Sequence, residues 1–179
     1  NGYPIRLVVP GYFGTYWVKH LSEIEVVDHT YDGFFMAKGY RVPDNDCFCI
    51  APGTTPAQTK PISKMPVRSF ITSVKQGDVL PLKKNVLLKG IAFDGGAGVN
   101  KVELSIDGGK KWREATLGQD LGRFSFREWT LAITFSSKGA TQLMVRASNR
   151  AGETQPLQAD WNPAGYRRHV VETSHVTVA

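Results

Sequence analysis

The sequence predicts a mainly β protein whose larger part is an immunoglobulin-like β-sandwich. From residue 66 onward, β-rich runs recur at regular spacing and are separated by turn-forming residues. Six or seven such strands within about 110 residues are typical of two packed antiparallel sheets. The Cys…Trp…Cys pattern of antibody domains is absent, so the similarity to immunoglobulin domains is one of architecture.

The opening residues predict short elements around a sharp corner. Pro4–Val9 is largely apolar and has no acidic residue, which favours a short buried strand that ends at Pro10-Gly11. Thr15–Leu21 is compatible with a brief helix that Thr15 would cap. Glu23–Val27 alternates polar and apolar residues, which predicts a half-exposed strand.

The periodicity is lost between Asp28 and Lys64, where Pro, Gly, Asp, Asn and Thr are frequent. An unstructured segment of this length is uncommon within one compact domain, so it marks a domain boundary or crosses a neighbouring surface. Its large apolar residues favour the second alternative, because they are costly to leave in water. They are Tyr31, Phe34, Phe35, Met36 and Tyr40. We therefore predict two domains, residues 1–60 and residues 61–179.

The remaining residues predict the strands of the sandwich. The runs are Val67–Val74, Val86–Phe93, Lys101–Ile106, Trp112–Thr116, Phe124–Phe135 and Gln142–Ser148. Asp107-Gly108-Gly109 predicts a tight hairpin, because glycine tolerates the positive φ that such turns require. Asp94–Gly98 is a second glycine-rich loop, but a strand follows it where a dinucleotide loop would lead into a helix.

Composition limits the classes of partner. The formal net charge is +6 and the sequence pI is about 9.4, which permits an anionic partner. The basic residues are spread along the chain without a basic helix or an aromatic–basic stripe, so we do not expect nucleic-acid binding. No apolar run approaches the length of a membrane-spanning helix, so we expect no membrane insertion.

Motifs for catalysis are few. Cys47 and Cys49 are separated by one residue, and extended backbone would not bring their sulfurs into disulfide geometry, so we expect two ordinary thiols. None of the four histidines has a partner at metal-ligand spacing, and nucleophile-elbow, zinc-protease and Walker motifs are absent. By themselves, residues 60–179 predict a scaffold or interaction module.

The opening stretch is the best candidate site. Arg6, Lys19 and His20 flank the Pro10-Gly11 corner, and backbone N–H groups of Gly11–Gly14 are available nearby. Cationic side chains and free backbone donors together favour a phosphate or another oxyanion. The alternative is a surface edge on which Arg6 and Lys19 are simply solvated.

The opening residues Asn1-Gly-Tyr-Pro-Ile-Arg6 through Val18-Lys19 resemble the signature of the sulfite oxidase family of molybdenum enzymes. That signature has the form His-Gly-x-Pro-x-Arg, three apolar residues, Pro-Gly-x-x-Gly, and a final Val-Lys. The resemblance extends to further segments along nearly the whole chain. These are Gly33–Met36, Met65–Ser69, Lys89-Gly90, Val102–Trp112, Arg146–Asn149, Gln155-Pro156 and Trp161-Asn162.

The resemblance implies the end of a molybdopterin-binding domain followed by an immunoglobulin-like dimerisation domain. Arg6 corresponds to an arginine that binds the cofactor in that family. Trp17, Val18 and Lys19 correspond to a segment that lies against the pterin and its phosphate. Asn1 stands where the family has a cofactor-binding histidine, so the residue type departs from the pattern there.

The resemblance also implies that important groups lie upstream. The cysteine that ligates molybdenum precedes this region in the family, and neither Cys47 nor Cys49 corresponds to it. Ala164 replaces an arginine that helps to hold sulfite in animal and plant members, and Arg167 or Arg168 is a candidate substitute. We therefore expect this chain alone to bind no molybdenum–molybdopterin and to have no sulfite oxidation activity.

Bacterial sulfite dehydrogenases are the members that the chain resembles most. In the intact enzyme we expect oxidation of sulfite to sulfate, electron transfer to a cytochrome c, an upstream molybdenum domain, a homodimer formed through the sandwich, and a periplasmic location. One alternative is a family member that acts on another sulfur oxoanion or reduces nitrate. Another is a non-catalytic immunoglobulin-like interaction module.

Overall fold

The computed structural model describes residues 2–179, which form two compact units. The N-terminal unit contains the residues up to Met65 together with Ala159–Arg168, and the sandwich unit contains Pro66–Gln158 and His169–Ala179. Residues 159–168 therefore group with the N-terminal unit, whereas the sequence placed them in the second domain. This return of the chain depends on contacts between distant segments, which local composition does not record.

Regular elements are short in the N-terminal unit. A 3₁₀ turn covers Gly14–Tyr16, helix α1 covers Phe34–Ala37, and strand β1 (Arg41–Pro43) pairs antiparallel with strand β2 (Thr59–Pro61). The hairpin formed by β1 and β2 encloses the loop that contains both cysteines.

Nine strands make up the sandwich unit. They are β3 (Arg68–Ile71), β4 (Val79–Leu80), β5 (Asn85–Phe93), β6 (Val99–Ser105), β7 (Arg113–Glu114), β8 (Thr116–Leu117), β9 (Arg127–Thr134), β10 (Gly139–Asn149) and β11 (Glu172–Val178). One sheet has the order β4-β11-β10-β6-β7 and the other has the order β3-β5-β9-β8. All neighbours are antiparallel except β4 and β11, which are parallel.

The predicted immunoglobulin-like sandwich is confirmed, and its inward side chains form one apolar core. Leu88, Leu104, Leu143 and Val145 are fully buried, and Trp129 retains 1% of its surface. The six predicted runs each contain observed strand, but β4 and β11 were not predicted. β4 has only two residues, and β11 carries Glu172 and several hydroxyl-bearing residues that weaken its apolar signal.

Two elements predicted near the N-terminus are wrong as regular structure. Pro4–Val9 forms no strand and has only an isolated bridge at Arg6, and Glu23–Val27 is exposed and irregular. Strands require a neighbouring strand to satisfy their backbone, and neither segment has a continuous one in residues 2–179. The predicted helix of Thr15–Leu21 shortens to the 3₁₀ turn, whose N-cap is Phe13.

The expectation of two free thiols is also wrong, because Cys47 and Cys49 form a disulfide. Extended backbone between the two cysteines would keep their sulfurs apart. Phe48 instead adopts a left-handed conformation with φ of 54°, and the two Cα atoms lie 5.1 Å apart. A turn at the intervening residue therefore makes possible a bridge that an extended chain excludes.

A buried side chain fills the Asp94–Gly98 loop. Asp94 Oδ1 accepts hydrogen bonds from the backbone N–H groups of Gly96, Ala97 and Gly98 at 2.7, 2.5 and 3.0 Å. Its Oδ2 accepts another from Asn149 Nδ2 at 2.7 Å, and Asp94 is 4% exposed. The donors that could cradle a phosphate are thus occupied by the chain itself, which gives a physical reason why this loop is not a phosphate site.

Candidate anion-binding site

The opening stretch folds back on itself within the N-terminal unit. Arg6 and Lys19 form an antiparallel bridge, and Leu7 N donates to Val18 O at 2.9 Å. Leu21 N donates to the carbonyl of Ile5 at 3.1 Å. These bonds align two short segments so that the two predicted cations occupy facing positions.

Gly2 brings the two cationic side chains together. Gly2 is buried and has a φ of +102°, and a Cβ built there would lie 3.2 Å from Arg6 Cβ and 3.3 Å from Arg6 Nε. The same Cβ would lie 3.7 Å from Lys19 Cγ. A larger residue would therefore meet both side chains, in addition to the cost of its backbone conformation.

The hydrogen bonds of Trp17 hold the second segment in place. Its backbone N–H donates to Gly14 O at 3.0 Å, and its indole Nε1 donates to Val9 O at 2.9 Å. Val18 is 48% exposed, and Lys19 and Arg6 are also exposed. The segment thus presents an apolar side chain and two cations at the surface on a backbone that is internally bonded.

The Pro10-Gly11 corner packs on residues 62–65. Phe13 N donates to Ser63 O at 3.2 Å, Met65 N donates to Gly11 O at 2.8 Å, and the Tyr16 hydroxyl donates to Ile62 O. Burial, with a smaller contribution from Tyr12, raises the pKa of Tyr16 above its ordinary value. Tyr16 therefore remains a neutral donor at physiological pH.

Arg167 contacts the same backbone segment. Its Nη1 donates to Lys64 O at 3.0 Å, and its guanidinium lies 3.8 Å from the centre of the Phe48 ring. Tyr12 and Lys64 form an antiparallel bridge, so Lys64 links Arg167 to the corner. Arg168 follows Arg167 and is exposed.

The loop before Arg167 is held by the buried Asn162. Asn162 Nδ2 donates to Tyr166 O at 2.7 Å, and its Oδ1 accepts from Tyr166 N at 2.9 Å. Ala164, between them, lines a cavity of about 470 Å³ beside Arg41. Each of the three guanidinium nitrogens of Arg41 donates to Met36 O or to Thr59, so this side chain ties helix α1 to strand β2.

The structure thus brings Arg6, Trp17, Val18 and Lys19 into one hairpin-like segment, while the predicted site residue Asn1 lies outside the described residues. Gly2 is not among the site residues predicted from the sequence, although the family signature has a glycine at this position. Among residues 2–179, no group of three or more His, Cys, Asp or Glu could hold a metal ion. In the same range, no helix has the length and apolar character needed to cross a membrane.

Two family models match the chain. Residues 59–172 match a Mo-co oxidoreductase dimerisation domain, and residues 1–35 match an oxidoreductase molybdopterin binding domain. The first match covers the strands of the sandwich up to the start of β11, and the second covers the segment that contains Gly2, Arg6 and Lys19.

Relatives and solved structures agree with these matches. Sulfite oxidase of Arabidopsis thaliana is 33% identical over 92% of this chain and 44% of its own length. Inducible nitrate reductase [NADH] 1 of Glycine max is 28% identical over 92% of this chain and 20% of its own length. The sulfane dehydrogenase SoxCD from Paracoccus pantotrophus superposes with a TM-score of 0.77 at 26% identity, over 97% of this chain and 44% of that chain. The chain therefore spans less than half the length of these proteins.

Proposed function

Because this chain belongs to the Mo-co oxidoreductase dimerisation-domain family, within the molybdenum oxidoreductases, we propose that it is the C-terminal part of a molybdenum-dependent sulfite:acceptor oxidoreductase. Its N-terminal unit contributes part of a molybdopterin clamp, and its sandwich unit supplies the subunit contact. The observation that carries the first part is the convergence of Gly2, Arg6 and Lys19 within the segment that matches a molybdopterin binding domain.

The donors of this segment fit the phosphate of a molybdopterin. Arg6 offers a planar guanidinium for paired hydrogen bonds, and Lys19 offers a compact ammonium on the facing position. The space in front of Gly2, which a Cβ would fill, lets both side chains approach each other. Trp17 and Val18 then offer apolar surface for a flat ring system, and Asn1 is proposed as a further contact.

When bound, a molybdenum–molybdopterin group would supply two-electron chemistry with transfer of an oxygen atom. The overall reaction is sulfite and water to sulfate, two protons and two electrons. The part of this chain is binding and electrostatics: Arg6 and Lys19 offset the phosphate charge, and the bonded backbone around Trp17 keeps them oriented.

Sulfite is proposed as the substrate because sulfite oxidase of Arabidopsis thaliana is 33% identical to this chain, against 28% for the nitrate reductase of Glycine max. Nitrate is the second candidate because of the similarity to the nitrate reductase.

Arg167 and Arg168 are proposed to contact the anion instead of the arginine that Ala164 replaces. The hydrogen bond from Arg167 to Lys64 O, beside the Pro10-Gly11 corner, supports this role. Electrons are proposed to pass to a cytochrome c in the periplasm.

Variants of the opening segment test this proposal through bound metal. In the purified protein that carries this chain, Arg6→Ala is expected to weaken cofactor affinity by about tenfold or more and so to lower molybdenum per protein, because a charge-assisted hydrogen bond contributes about 1.5–3 kcal/mol. Gly2→Ala is expected to lower it as well, since its Cβ would meet Arg6 and Lys19. Molybdenum content is measured by mass spectrometry of the metal, alongside turnover with sulfite and with nitrate.

The matched control is Gly14→Ala in the same segment. A Cβ at Gly14 has no heavy atom within 4 Å, so this variant is expected to keep its molybdenum. Unchanged molybdenum content in Arg6→Ala would refute the proposed clamp. If the molybdenum-loaded wild type turned over nitrate but not sulfite, the proposed substrate would be wrong, whereas the proposed clamp would still stand.

A homodimer through the sandwich is the proposed assembly, and exposed apolar surface on that unit supports it. Phe70, Phe93 and Phe126 form a row of ring contacts at 6.1 and 5.4 Å, and Phe126 and Leu121 are 61% and 69% exposed. Burial of such a patch against a second copy would remove it from water. Sedimentation equilibrium is expected to show a dimer that Phe126→Asp converts to monomer, whereas a monomeric wild type at high concentration would refute the assembly.

A further inference from the structure

The disulfide between Cys47 and Cys49 closes a loop that contains only Phe48. A bridge over so short a loop removes little entropy from the unfolded chain, so it stabilises the fold less than a bridge between distant residues would. The ordinary structural explanation of a disulfide therefore applies poorly here, and nothing in the proposed function uses these two residues.

We propose that Cys47–Cys49 is a thiol–disulfide exchange site, which a dithiol reduces by attack at Cys47. The difference in exposure of the two cysteines indicates where attack occurs. Cys47 is exposed, whereas Cys49 and Phe48 are half-buried. A thiolate must reach the sulfur that it attacks, so the mixed disulfide forms on Cys47 and Cys49 departs as the thiolate.

Asn45 is arranged to support both redox states. Its Nδ2 donates to Cys49 O at 2.9 Å, and its Oδ1 accepts from Cys49 N at 3.2 Å. The same Oδ1 lies 3.4 Å from Cys47 Sγ. A disulfide sulfur has no hydrogen to donate, but the Cys47 thiol formed by reduction can donate to this oxygen. The loop thus has a hydrogen-bond acceptor already placed for the reduced form.

The residue between the cysteines favours opening of the ring. Phe48 has a φ of 54°, a conformation that is unfavourable for an aromatic residue and that the closed ring holds. Two cations contact its ring, with Lys60 Nζ at 4.6 Å and the Arg167 guanidinium at 3.8 Å from the ring centre. Asp44 pairs with Lys60 at 2.9 Å.

The exchange balances with a dithiol as the reductant. Its first thiolate forms a bond to Cys47 Sγ while the Cys47–Cys49 bond breaks, and Cys49 takes up a proton. In the mixed disulfide, the second thiol of the reductant then attacks the first sulfur of the reductant, and Cys47 is released as a thiol. Two electrons and two protons pass from the dithiol, which becomes a disulfide, to the two cysteines of this chain.

Thiol labelling of the purified, folded protein tests the proposal. Before reduction, N-ethylmaleimide is expected to label neither cysteine. After brief treatment with dithiothreitol without denaturant, peptide mass spectrometry should find a label on both Cys47 and Cys49. Removal of the dithiol and addition of oxidised glutathione should restore the unlabelled state.

Single variants test the direction of attack. Cys47 in the Cys49→Ser variant is expected to react with a dinitrobenzoate disulfide reagent faster than Cys49 in the Cys47→Ser variant, by on the order of tenfold. The double serine variant is the structural control and is expected to keep the melting behaviour of the oxidised wild type. The proposal is overturned if untreated protein is labelled, if dithiothreitol acts only in denaturant, if Cys49 reacts faster, or if the double variant melts at a much lower temperature.

Discussion

Replacement of Gly90 by alanine is expected to lower the free energy of unfolding of the sandwich by about 3 kcal/mol or more. Gly90 lies in β5, opposite Trp129 of β9 and Ile71 of β3. A Cβ at this position would lie 2.0 Å from Phe70 O and 2.2 Å from the Trp129 ring. Both neighbours would have to move, and Trp129 is 1% exposed in a core that is close-packed, as protein interiors generally are.

Urea denaturation followed by tryptophan fluorescence measures this loss. Gly118→Ala, directly after β8 of the same sheet, is the matched control, because its Cβ would lie 3.3 Å from Glu128 Cβ at an exposed position. We expect that variant to change the unfolding free energy by about 0.5 kcal/mol. Equal midpoints for the two variants would contradict the close approach of backbone and indole at Gly90.

Replacement of Asp94 by alanine has the second large expected effect, a loss of about 3 kcal/mol or more. Three backbone N–H groups and the amide of Asn149 donate to this carboxylate, and the residue is 4% exposed. Alanine removes the acceptor of all three backbone N–H groups and one of the two acceptors of Asn149 Nδ2, which also donates to Glu153 Oε2 at 2.7 Å. An unsatisfied donor that stays buried, such as Gly98 N, costs about 1–3 kcal/mol. The measurement is chemical denaturation of the variant and the wild type at neutral pH.

Asp120→Ala is the matched control for Asp94. Asp120 also accepts a backbone hydrogen bond, from Gly122 at 3.0 Å, and it contacts Arg127 and Arg150 at 2.7 and 3.0 Å. Its side chain is 41% exposed, so water can replace these partners and we expect a loss below about 1 kcal/mol. Comparable losses of unfolding free energy in the two variants would show that the burial of Asp94 does not determine the size of the loss.

The strand pattern of the sandwich was predictable because it resides in short stretches of sequence. β5 and β10 alternate inward and outward residues over most of their length, and the Asp107-Gly108-Gly109 turn follows directly after β6. β11 was missed because its pattern is diluted by polar residues, although Val176 and Val178 are buried. It becomes a strand through seven paired positions with β10, which run from Gly139 opposite Val178 to Val145 opposite Glu172.

The candidate site was predictable in its residue types and less so in its geometry. The sequence identifies Arg6 and Lys19 as candidates because cations and glycines surround the Pro10-Gly11 corner. Only the structure shows that a backbone bridge places the two residues opposite each other. The contact of Gly2 with both side chains depends on a positive φ, which sequence does not display. The disulfide was not predicted, because extended backbone between the cysteines would prevent it. The left-handed conformation of Phe48 allows the bridge to form.

By itself, the sequence determined the sandwich class, the segments that become its main strands, the family signature and the residues that could hold an anion. These features depend on residue type and on spacing over a few positions. Only the tertiary structure decided that Pro4–Val9 is not a strand, that residues 159–168 return to the N-terminal unit, and that Asp94 fills its own glycine loop. Each of these outcomes depends on which distant group satisfies a backbone or side-chain hydrogen bond, and that choice is made when the whole chain has folded.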